Sequence, residues 1–173
     1  MKRLLLAAAV SLLTAGSALA QTVYIVRHAE KADASADPAL SEAGQARAAA
    51  LAEALRDAHP VLVLTSPLQR TRLTATPTAE YHSAPVEAVS LEGGGAAHIV
   101  AAVARVRALP ADATVLIVGH SNTVPAIARA LGVAGAADMT DCEYDRLYVI
   151  ELEEGAARAV TGRYGAPSEP CEG

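Results

Sequence analysis

Phenylalanine and tryptophan are absent from this 173-residue chain, and five tyrosines supply nearly all of its aromatic character. Its core must be packed from Leu, Val, Ile and abundant Ala, and the bases of a nucleic acid have almost no aromatic platform to stack on. Charge is sparse: 19% of residues are charged against 52% hydrophobic, the opposite of a disordered chain. Removing Lys2 and Arg3 from the 14 basic residues leaves 12 against 19 acidic ones, a formal charge of −7. That balance offers no broad surface to a polyanion, so nucleic acid is excluded as a partner. Positive charge is local, and where each arginine stands carries information. Cysteine occurs only at Cys142 and Cys171, with no Cys-His spacing, which argues against a structural zinc site. No metal and no cofactor is expected.

What is present begins with a leader. Residues 1–20 combine a charged start at Lys2 and Arg3, an apolar stretch over 4–13 and a small-residue end closing on Ala18-Leu19-Ala20. That is the pattern of a secretory signal peptide with an A-x-A cleavage site after Ala20. A membrane span needs about 20 predominantly apolar residues, and Ser11, Thr14, Gly16 and Ser17 interrupt this one. The expected mature chain, 21–173, is a periplasmic or secreted protein with no stable membrane insertion, and its length suits one domain. In an oxidising compartment Cys142 and Cys171 have a single intramolecular pairing open to them, a staple between the C-terminal tail and the body; two free thiols are the alternative. Nothing in the sequence speaks to oligomeric state.

Three apolar runs, 23–26, 61–64 and 115–118, are continuous rather than alternating and rich in β-branched residues. Such runs read as strands buried on both faces, as in a parallel sheet. Helical patterns lie between them. One covers 42–58, with Ala43, Ala46, Ala50, Leu51, Ala54, Leu55 and Ala58 as its apolar face, and another covers 96–109, with Ile99, Val103 and Val106 in register. A third helix is expected near 124–131. Two further strands, 146–152 and 157–163, flank a Glu153-Glu154-Gly155 turn and form an antiparallel hairpin, so the sheet is mixed. The expected class is α/β.

Each buried run ends in polar residues: Arg27-His28 after the first, Thr65-Ser66-Pro67 with Arg70 after the second, Gly119-His120-Ser121-Asn122 after the third. Sites in open α/β sheets form at the carboxyl ends of parallel strands, so these residues should converge on one edge. Ser66, Pro67 and Gln69 read as a helix start with an S-x-x-Q capping box, which would hold Arg70 in the first turn. Asn122 or Thr123 would cap the helix near Val124. Two arginines beside two imidazoles describe a pocket for a small tetrahedral oxyanion. One imidazole can attack phosphorus while the other, protonated, stabilises charge on the equatorial oxygens. A pairing of Arg27 with Glu30 is the competing structural reading. His59, His82 and His98 read as ordinary satisfied histidines.

Taken in order, Arg27-His28-Ala29-Glu30, 40–46 opening a helix, Thr65-Ser66-Pro67 with Arg70 and Thr71, and Gly119-His120-Ser121-Asn122 resemble the histidine phosphatase superfamily, the phosphoglycerate mutase-like family. The resemblance implies a three-layer α/β/α sandwich with a mostly parallel mixed sheet. It implies His28 as the nucleophile of a phosphohistidine intermediate, with Arg27, Arg70 and His120 completing the phosphate pocket. The acid phosphatase branch has His-Asp where this chain has His120-Ser121-Asn122. In the mutase-like branch a Glu serves as acid, and Leu91-Glu92-Gly93-Gly94 makes Glu92 the candidate. Glu30, Lys31, Ser121 and Asn122 are candidate substrate-binding residues. The activity implied is an exported, metal-independent phosphomonoesterase acting on a small or surface-linked ester. A non-catalytic phosphate-binding module and a mutase-type phosphotransferase are the alternatives.

Overall fold

A computed structural model describes residues 20–171, so the leader expected over 1–20 lies, apart from Ala20, outside the described residues. The elements run β1 (Gln21–Arg27), α1 (Glu42–Ala54), β2 (Leu62–Thr65), α2 (Gln69–His82), β3 (Val86–Ala88), α3 (Gly94–Arg107), β4 (Thr114–Gly119), α4 (Thr123–Ala130), β5 (Arg146–Glu153) and β6 (Ala156–Arg163). They build one six-stranded sheet in the order β3-β2-β4-β1-β5-β6. The first four in that order are parallel, and β5 and β6 join antiparallel.

Alternation along the central strands divides the apolar residues between two faces, as a pleated sheet covered on both sides requires. Val23, Ile25, Leu64, Val115 and Ile117 pack with Ala102 and Val106 of α3 and with Val124 and Ile127 of α4. Val26, Val63, Leu116 and Val118 pack with Leu51 and Leu55 on the α1 side and Ala75 and Ala79 of α2. The result is the three-layer sandwich. Tyr148 and Tyr164 sit in these cores, the only bulky rings a chain without Phe or Trp can bury there.

Three expectations about elements are corrected. The buried stripe of α1 is Gly44, Arg47, Ala48 and Leu51, continued by Leu55, whereas Ala43, Ala46 and Ala54 face solvent. An alanine gains little from burial, so it marks a helix without marking its inner face. The helix also stops at Ala54 rather than running to 58. Val61 is 53% exposed and outside β2, and the short edge strand β3 was not foreseen: three residues with Val86 partly exposed carry no apolar run.

The register sets the functional edge. Arg27 lies opposite Gly119 and Thr65 opposite Val118, so β1, β2 and β4 end together. Beneath that edge, Ser41 caps α1 by accepting the Gly44 N–H at 3.1 Å. Gly44 rests directly on the turn after β1: a Cβ there would lie 2.3 Å from the Glu30 carbonyl oxygen, so no larger residue fits. Gly119 is constrained by space rather than by its backbone angles, since a Cβ would come within 2.9 Å of Thr123 Oγ1.

Candidate active site

Residues from all three strand ends line one cavity of about 370 Å³, including Arg27, His28, Arg70 and His120. The rings of His28 and His120 meet edge to face with centroids 5.3 Å apart. His28 is 4% exposed, its backbone N–H is held by the Gly119 carbonyl at 2.8 Å, and its Nδ1 lies 2.8 Å from the Ala29 carbonyl. A carbonyl can only accept, so Nδ1 carries the proton and the lone pair is left on Nε2. His120 Nε2 lies 3.0 Å from the hydroxyl of Ser66, which is itself buried and bonded to Thr71.

The two arginines are each held by one end. Arg27 donates from Nη1 to the carbonyls of Thr140, Asp141 and Glu143 at 3.0, 2.8 and 3.1 Å, and its guanidinium stacks 4.1 Å above the Tyr144 ring. Arg70 donates to the Ala36 carbonyl at 3.4 Å and has Asp37 at 3.8 Å. In both side chains Nε is buried and has no partner among the described residues. Buried N–H groups in folded proteins are almost always satisfied, so two orphaned guanidinium donors beside one cavity point to an anion as their partner.

Helix α2 does not begin with the expected capping box. It starts at Gln69 after Leu68, with no side-chain cap at that position, and the Ser66 hydroxyl receives the Leu68 N–H at 3.3 Å while serving His120. The carboxylate that caps the helix comes from Asp37, 32 residues upstream, which accepts the Gln69 N–H at 2.9 Å. Arg70 still stands in the first turn. Asn122 occupies the position before α4 without a side-chain cap, and Thr123 accepts the His120 N–H at 3.0 Å.

The remaining candidates divide. Lys31, Ser121 and Asn122 line the cavity. Glu30 does not serve it: Arg47, almost fully buried, holds both carboxylate oxygens at 2.7–3.0 Å, which corrects its assignment to substrate and also removes it as a partner for Arg27. Glu92 is exposed in the turn before α3, and this segment contributes Leu91 and Gly95 to the cavity instead. Ser66, Tyr144 and Asp141 were not singled out by the sequence reading for the roles they take here. The last two sit in a loop without periodicity, though their nearness to Cys142 is a signal in hindsight. That cysteine is bonded to Cys171, the single intramolecular pairing open to it. A larger hollow of about 970 Å³ lies at the opposite end of β1, around Gln21 and the β5–β6 turn, and gathers no comparable set of titratable groups. No group of three or more His, Cys, Asp or Glu suited to a metal ion occurs among the described residues.

The family model of the histidine phosphatase superfamily, branch 1, matches residues 23–90, from β1 and its Arg27-His28 pair past Arg70 to the end of β3. Over that stretch, 68 of the 173 residues, the chain is similar to the histidine phosphatase superfamily. Solved structures agree with this chain in fold. A chain from Agrobacterium tumefaciens assigned as a phosphohistidine phosphatase SixA is 24% identical, with 85% of this chain and 98% of that one covered and a TM-score of 0.64. The mycobacterial glucosyl-3-phosphoglycerate phosphatase is 17% identical, with 85% and 99% covered and a TM-score of 0.59. A phosphoglycerate mutase from Bacillus anthracis is 16% identical, with 84% and 93% covered and a TM-score of 0.64. A search of the curated proteins gave no match.

Electrostatics set the charge of the two imidazoles in the free site. Burial, then the neighbouring cations and the other imidazole, push His28 down to about 3, even though the Ala29 carbonyl works the other way. Burial and then Arg70 push His120 down to about 4. Both rings are therefore neutral in the free protein near pH 7, His120 included, and histidine titration of the free protein moves well below neutrality. An unfolded chain titrates its histidines near 6.5. Below that value the unfolded state takes up protons that the folded state refuses, so stability falls as pH drops from about 6.5 towards 4 and 3, and is unaffected by these groups above 7. Thermal unfolding followed from pH 7.5 to 4 is expected to show a falling Tm, with a shallower slope in His120→Gln. Equal slopes would count against neutral burial of His120.

Proposed function

We propose that this protein is an exported phosphomonoesterase that works through a phosphohistidine at His28 and needs no metal ion. What carries this reading is the pair of orphaned guanidinium donors, on Arg27 and Arg70, beside two imidazoles at one cavity. In-line attack by His28 Nε2 forms the N–P bond as the ester P–O bond breaks. Arg27 and Arg70 neutralise the equatorial oxygens, and a dianion between them favours a proton on His120, reversing the field of the free site. Water then displaces the phosphoryl group from Nε2 and regenerates neutral His28. Export is supported by the leader sequence and is compatible with the disulfide; no helix among the described residues is long and apolar enough to cross a membrane.

The test uses the chain cleaved after Ala20 with para-nitrophenyl phosphate. Turnover is expected to persist in EDTA and to be blocked by vanadate, which mimics the five-coordinate phosphorus. Loss of turnover on chelation would refute the metal-free mechanism. Tight binding of phosphate with no turnover across a panel of esters would identify a binding module instead.

A further inference from the structure

The mechanism above leaves the leaving oxygen without a proton donor, and Glu92 stands outside the cavity. Among the described side chains that line it, Asp141 alone is a carboxylic acid. We infer that Asp141, carried on the disulfide-anchored loop between α4 and β5, is the catalytic proton shuttle of the phosphatase reaction proposed above, on which this inference rests. Both ends of the residue are tied to the site. Its backbone carbonyl accepts from Arg27 Nη1 at 2.8 Å, and its Oδ1 accepts the Ser121 hydroxyl at 3.1 Å, leaving Oδ2 for other work. Ser121 follows His120 directly, and all three residues line the same cavity. The next residue, Cys142, fixes the loop covalently to Cys171.

The proton balance closes over the cycle. The carboxyl group gives its proton to the ester oxygen as the P–O bond breaks, leaving an alcohol, a phosphohistidine and an Asp141 carboxylate. That carboxylate takes a proton from water as the water oxygen bonds to phosphorus and the N–P bond breaks. The products are inorganic phosphate, neutral His28 and the carboxyl group again. Such a group serves alkyl esters above all, because an alkoxide leaves poorly unless protonated, whereas a nitrophenolate needs no proton. The inferred substrates are therefore esters of aliphatic alcohols.

Comparing kcat/KM for glycerol 2-phosphate and para-nitrophenyl phosphate tests this, since both report the step that breaks the ester bond. Asp141→Asn is expected to lose about 100-fold on the glycerol ester and less than about 5-fold on the aryl ester, with Asp141→Glu recovering part of the loss. Equal losses on both esters would show that the residue merely holds Arg27, and would overturn the assignment. So would a leaving-group-dependent loss in Glu92→Gln instead. Wild-type protein that turns over neither ester would remove the phosphatase reading itself, whereas normal wild-type turnover with an indifferent Asp141→Asn would remove only this inference.

Discussion

His28→Ala is expected to lower kcat/KM for para-nitrophenyl phosphate by about 10⁴-fold or more, because it removes the atom proposed to form the covalent bond. The structural cost of the change should be modest next to this. The ring sits at the cavity, its one close polar contact is to the adjacent Ala29 carbonyl, and the backbone bond to Gly119 survives the substitution. Rapid acid-free quenching with labelled substrate should trap a base-stable, acid-labile phosphoenzyme in the wild type and none in the variant. Removing His120 differs in kind: Arg27, Arg70 and the nucleophile remain, so attack slows without losing its covalent route. A phosphoenzyme in His28→Ala, or residual activity within about 10-fold of wild type, would contradict the assignment of the nucleophile.

The second large effect belongs to the disulfide. Cys142 lies within the stretch whose carbonyls at Thr140, Asp141 and Glu143 hold Arg27, and two residues before Tyr144, whose ring packs under the same guanidinium. Opening the 29-residue separation between Cys142 and Cys171 costs about 3.5 kcal/mol in the chain-entropy picture. For a chain of this size that corresponds to a Tm about 10 °C lower. Ser168 continues to bind the Tyr144 and Asp145 N–H groups, so the double variant Cys142→Ser/Cys171→Ser should still fold. Its signature is a KM raised about 10-fold or more, read by steady-state kinetics beside thermal unfolding, because loosening the carbonyl cradle frees Arg27 to leave the oxyanion. An unchanged KM with a lowered Tm would confine the disulfide to stability.

Much of the architecture could be read from the chain because strands buried on both faces leave continuous apolar runs, and parallel strands send their carboxyl ends to one edge. That logic placed Arg27, His28, Arg70 and His120 at the edge where they line a common cavity. It failed wherever the decisive partner is remote in sequence. The Asp37 cap of α2, the grip of Arg47 on Glu30 and the carbonyl cradle around Arg27 are contacts between segments that neither propensity nor periodicity connects. Glu92 drew attention through its Leu-Glu-Gly setting, yet its turn faces solvent. The neutrality of His120 in the free site was hidden for a different reason: burial and a neighbouring guanidinium act together only once the fold has gathered them.

The contact of Gly44 against the Glu30 carbonyl reaches beyond packing. It makes the support of the turn that follows His28 a meeting of two main chains, with no side chain between them to rearrange. Alanine at position 44 would have to lift the turn that carries residues 28–30, so a protein with every charged and imidazole group intact could be silenced from beneath. Any attempt to graft this pocket onto another scaffold must bring that bare helical step with it.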